Sequence, residues 1–167
     1  MLPSLVEKLI ESCTREDHID IKAFCEALGV NIAIRPKLKN LCEIHLEGET
    51  DKPVISLSPT LDKKTKFTFV AIALAEYILT PERVARTGIC YDMFFLEDIY
   101  HQRHGYRMLL ATRIAVPKHL INLISSTSPE AEKLIAQANY LPKFLRCCVS
   151  NSSALFLLAN FSDLPQS

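Results

Sequence analysis

The sequence predicts an α+β fold, with a small sheet of about three strands between two short N-terminal helices and a longer, mainly helical stretch. Three observations predict it. Apolar residues recur at helical spacing over 4–13 and 20–29. They fall into short strand-length runs over 30–58, and from about residue 61 they return to helical spacing. With 167 residues, 49% hydrophobic and 23% charged, the chain has ordinary globular proportions and enough length for one core. One domain over 1–167 is expected, comprising N-terminal helices and sheet (1–60), central helices (61–125) and a C-terminal helix-turn-helix-like segment with an apolar tail (126–167).

Residues 4–13 form the first predicted helix, with Val6, Leu9, Ile10 and Cys13 on one face and Ser4 and Glu7 fitting a capping box. The second runs from Asp20, its N-cap, to Gly29, its C-terminal stop, burying Ile21, Phe24, Cys25 and Leu28. "VNIAIR" (30–35) reads as a strand closed by Pro36. "CEIHLEG" (42–48) alternates Cys42, Ile44 and Leu46 against Glu43, His45 and Glu47. "PVISLS" (53–58) follows the turn-like "GETDK", so an antiparallel pair is expected there. In 67–79 only Thr68 and Glu76 are not apolar, which predicts a helix buried nearly all round. Residues 91–116 read as one long helix or two short ones broken at Gly105, and Pro117 opens another helix, "PKHLINLI". "TSPEAEKLIAQAN" and "PKFLRCCV" read as later helices, and "ALFLLANF" (154–161) as a closing strand or apolar tail.

Composition narrows the function classes. Lys+Arg (19) and Asp+Glu (19) cancel, so no global field favours nucleic acid or an anionic membrane. No uncharged run reaches the length of a membrane span, and "MLPSLVEKLIESC" lacks the basic-then-apolar pattern of a secretory signal. The six cysteines are scattered without a CxxC pair. Several of them, such as Cys25, sit at core positions and read as reduced small hydrophobes, and a cytoplasmic location is expected. There is no GxSxG, no phosphate loop and no GxGxxG.

Several segments, in order and spacing, carry a resemblance. They are "IDIKAFCEALGVNIAIR", "CEIHLEGETDKPVISLSPTLDKKTKFTF", "ALAEYIL", "LLATRIAVPKHLI" and "LIAQANYLPKFL". Together they resemble the ImmA/IrrE-type zinc metallopeptidases over roughly residues 20–148, and the resemblance implies a zincin-like architecture. That family carries HExxH on its central helix and a third acidic ligand on a later one. Two His at i and i+4 share a helical face and reach one Zn²⁺, while the Glu polarises its water.

Matching "ALAEYIL" to the family's "ELGHYLL" puts Ile72 and Glu76 at the His positions and Ala73 at the general base. Sliding back one residue gives Ala71, Ile72 and Ala75. The third-ligand position, counted back from Pro117, falls on Tyr106. Hydrocarbon side chains neither coordinate zinc nor accept a proton, so the resemblance implies a family member without the catalytic motif and without a cofactor.

Two further readings stay open. Glu76, the lone charge on its helix, either pairs with Arg83 or Arg86 or takes part in a relocated metal site. Glu97, His101 and His104 follow i, i+4, i+7 spacing, which suits three ligands on one face and equally a solvated, salt-bridged surface. Cys42 and His45 have two residues between them, a metal-ligand spacing, but point to opposite faces of a strand.

The preferred functional expectation is a catalytically inactive, peptidase-like regulator that binds a protein, with a helix-turn-helix repressor of a phage or mobile element as the partner the resemblance implies. The expected contact surface is the emptied site: Ile72, Ala73, Glu76, Tyr77 and Tyr106. The first alternative is a metal-dependent peptidase using Glu76, His101 and His104. The second is a DNA-binding regulator using 128–148, where Lys133, Lys143 and Arg146 face Glu130 and Glu132, a thin footprint for phosphates. Direct nucleic-acid and membrane contact is not expected, and the apolar tail is a candidate homodimer contact.

Overall fold

The computed structural model describes residues 3–16, 18–49, 51–98, 106–125 and 129 of the chain. Its elements run α1 (Pro3–Ser12), α2 (Ile21–Leu28), β1 (Asn31–Ile34), β2 (Cys42–Glu47), β3 (Lys52–Leu57), α3 (Lys63–Leu79), α4 (Pro81–Thr87), β4 (Ile89–Tyr91), α5 (Met93–Asp98), α6 (Tyr106–Ala115) and α7 (Lys118–Ser125). The fold class is α+β, as expected.

Local chemistry sets most boundaries. Asp20 caps α2 by accepting from the Ala23 N–H at 3.0 Å, and Gly29 ends it in the left-handed region at φ 70°. Asp62 caps α3 through the Thr65 N–H at 2.7 Å. The capping box expected at Ser4 and Glu7 does not form. The helix already begins at Pro3, and Glu7 is buried and turned inward.

The sheet has four strands, not three, in the order β1-β3-β2-β4. β2 and β3 form the expected antiparallel hairpin, β1 runs parallel to β3, and β4 is antiparallel to β2. β4 is three residues long and lies in a stretch where the apolar spacing reads as helix, so periodicity does not reveal it. What admits it is Gly88, at φ 62°, ψ 175°. A Cβ there would sit 3.1 Å from His45 Cβ and 3.2 Å from the Ile44 carbonyl oxygen. Only glycine takes that backbone and that approach without strain.

Registry aligns two apolar rows across the sheet: Tyr91–Cys42–Leu57–Ile34 and Ile89–Ile44–Ile55–Ile32. α3 packs on this face, and Phe69 meets Tyr91 with ring centroids 5.9 Å apart. From Thr68 to Glu76 every residue of α3 is buried. α6 packs along α3, and α1 and α7 close the core beyond it through Val6, Ile10 and Ile121. α3 is thus a central helix enclosed by sheet and helices. No described helix is long and apolar enough to cross a membrane.

Within 91–116, expected as one long helix or two short ones, Tyr91 ends β4 and α5 and α6 follow, with the expected break at Gly105 and residues 99–104 outside the described residues. "TSPEAEKLIAQAN", apart from Pro129, as well as "PKFLRCCV", Cys147, Cys148 and the 154–161 tail, lies outside them too.

Candidate functional site

α3 brings the predicted site residues into the interior. Ile72 and Ala73 are completely buried, Glu76 is buried, and Tyr77 is partly buried. Ile72 and Ala73 therefore do not line an open groove, because sheet and α6 enclose the helix on both sides. Tyr106 is the first residue of α6. His101 and His104 lie outside the described residues, and of Glu97 only its place in α5 is described.

A carboxylate on so apolar a helix has to be paired to stay ionised. Glu76 is held from three sides. Arg107, on the first turn of α6, donates from Nη1 to Oε2 at 2.7 Å. Thr80, which ends α3, donates from Oγ1 to Oε1 at 3.0 Å. Arg83 on α4 contributes its charge at 3.7 Å, so the expected partner is present but is the weaker of two. Arg86 is on the exposed side of α4. The partner that sequence reasoning missed, Arg107, is 31 residues away, and nothing local announces it.

An aromatic wall backs the pair. Arg107 lies over the Phe95 ring at 5.5 Å from its centroid, close enough for a cation–π contact. Phe95 meets Tyr91 edge-on at 4.7 Å. The Tyr91 hydroxyl is buried and has no hydrogen-bond partner among the described residues. Burial, and then the negative charge of Glu76, push its pKa above the ordinary tyrosine value.

This arrangement suits neither of the usual chemistries. Glu76 already satisfies two cations and a hydroxyl, which leaves it a poor metal ligand. Among the described residues no three His, Cys, Asp or Glu side chains gather to hold a metal. Burial pushes the Cys25 thiol up to about 12 and the Cys42 thiol higher still, so neither is a ready nucleophile. Cys42 and His45 project to opposite faces, as alternation requires.

No family model, curated protein or solved structure matches this chain.

A second buried pair lies on the other side of α6. Arg113 donates from Nε and Nη2 to Glu7 Oε1 on α1, and from Nη1 to the Val116 carbonyl at 3.2 Å. Beside it, Glu11, Thr14, Arg113, Lys118, His119 and Asn122 line a cavity of about 370 Å³. Large apolar side chains that do reach solvent are elsewhere: Leu5, Ile32, Ile34, Met93 and Phe94.

Proposed function

We propose that this chain is a non-catalytic relative of the ImmA/IrrE-type peptidases, with a zincin-like arrangement of sheet and central helix, that acts by binding another protein. The observation that carries this reading is the Glu76–Arg107 bridge. In the family, metal joins the central helix to the later helix that supplies the third ligand. Here the resemblance puts Glu76 at the second His position and Tyr106 at the third ligand. A 2.7 Å ion pair from Glu76 to the neighbour of Tyr106 joins the two helices instead. A guanidinium–carboxylate bridge can keep the helices apposed where the family uses a metal.

The partner class comes from the resemblance: a helix-turn-helix repressor of a phage or mobile element, held off its operator stoichiometrically. Such sequestration needs only a complex whose affinity competes with that for DNA. The test is affinity purification of the full chain from its host, followed by operator release with the purified repressor. The expected result is a co-purifying helix-turn-helix protein, displaced intact from its operator at a fixed molar ratio. Elemental analysis finding a stoichiometric transition metal, lost in His101→Ala along with repressor cleavage, would overturn the reading in favour of relocated ligands.

A further inference from the structure

The sheet's apolar face runs past its cover at one edge. Along the row Tyr91–Cys42–Leu57–Ile34, relative exposure is 1, 0, 2 and 51%; along Ile89–Ile44–Ile55–Ile32 it is 9, 0, 0 and 41%. Three strands are sealed and β1 is not, although its isoleucines belong to the same face. Among the described residues nothing pairs with the outer backbone edge there either. The Arg35 N–H donates to the Leu57 carbonyl at 3.0 Å, so the odd-numbered residues of β1 turn toward β3. In a parallel ladder alternate residues face alternate sides, which turns the N–H and C=O of Ile32 and Ile34 outward. No described strand pairs with that side.

Charge selects the occupant. Residues 30–42, "VNIAIRPKLKNLC", contain three basic residues and no acidic one. Glu47 engages Arg35 at 2.7 Å, whereas Lys37 and Lys39 stand exposed in the segment that leaves β1. A second copy fits poorly: its own β1 edge is only four residues, roughly 13 Å long, and its segment 30–42 brings no acidic residue to meet Lys37 and Lys39.

We infer that β1 is a strand-addition site for an extended segment of a partner protein, with apolar residues at alternate positions and acidic residues at the end that meets Lys37 and Lys39. Backbone hydrogen bonds to Ile32 and Ile34 supply affinity, and the two isoleucine side chains with the adjacent lysines supply selectivity. The inference rests on the protein-binding reading but puts the contact on a surface distinct from the Glu76 cluster.

The test pans a random dodecapeptide library against the full chain and measures a synthetic peptide of the enriched sequence. Alternating apolar residues with Asp or Glu at one end are expected. Ile34→Lys should weaken binding by about tenfold or more, rising salt should weaken it further, and the Ile32 and Ile34 amides should exchange more slowly when peptide is added. Selected peptides without that pattern, or unaffected by Ile34→Lys, overturn the site. So does slow exchange of both amides in the free chain at low concentration, which means its own residues fill the edge, or protection that grows with protein concentration, which means a second copy does. A host partner that co-purifies equally with wild type and Ile34→Lys overturns the edge and leaves the protein-binding reading standing.

Discussion

Two buried carboxylates, Glu7 and Glu76, meet arginines on opposite sides of α6, and their surroundings differ. Glu7–Arg113 is closed: the side chains retain 6% and 1% exposure, and Glu7 Oε2 has no partner among the described residues. Glu76–Arg107 is graded: Glu76 keeps 5% exposure, Arg107 29% and Arg83 61%, so positive charge leads from the core to solvent. The first pair is therefore a rigid tie between α1 and α6, costly to break from either side. The second is a helix–helix bridge that water partly relieves from its arginine side.

The largest effect should come from the closed pair. Arg113→Met strands a buried carboxylate and is expected to cost about 3–5 kcal/mol, read by urea unfolding. Adding Glu7→Leu to that variant should recover most of the loss, since a well-packed apolar pair often matches a buried ion pair. If the double variant is no more stable than the single, the pair is not the isolated tie described above.

Next is the graded pair. Arg107→Met is expected to cost about 2–4 kcal/mol, less than the closed pair, because Thr80 and Arg83 still serve Glu76. A loss equal to that of Arg113→Met would erase the distinction.

Alkaline titration probes the wall behind Glu76. Tyr91 has its folded-state pKa raised above the unfolded value near 10. Its contribution is therefore fully present below about pH 10 and declines as pH rises past it, with a slope of up to about 1.4 kcal/mol per pH unit. Tyr91→Phe should flatten that slope while leaving neutral-pH stability nearly unchanged, because the hydroxyl has no described partner to lose. An unchanged slope in Tyr91→Phe would assign the alkaline loss to other groups, with the buried thiols of Cys25 and Cys42 next in line.

The smallest effect belongs to Arg83→Ala. Arg83 is mostly exposed and 3.7 Å from Glu76, so the expected cost is under about 1 kcal/mol and should shrink in high salt. A larger, salt-insensitive loss would make Arg83 an equal partner of Arg107.

Much of the fold was legible because its signals are local. Asp20, Gly29 and Asp62 mark helix ends through hydrogen bonds or dihedrals confined to a few residues, and Cys42–Glu47 alternates because one face is buried. β4 was not legible. "ICY" is too short to show a period, and its presence depends on Gly88 letting it approach Ile44 and His45, some 43 residues earlier. The candidate site was legible in half. Glu76 stood out as the lone charge in the apolar stretch 67–79, whereas Arg107 and Arg113 look like ordinary surface residues of "YRMLLATRIA" until α6 is seen packed between α3 and α1.

By itself the sequence determined the α+β class, the hairpin, and a buried central helix carrying a carboxylate among hydrocarbon side chains. Each of these follows from residue type and spacing along continuous stretches of chain. Only the tertiary structure decided what balances Glu76 and Glu7, and which strand edge lies open at Ile32 and Ile34. Charge pairing and cover depend on which distant elements meet, and no short stretch of chain encodes that meeting alone.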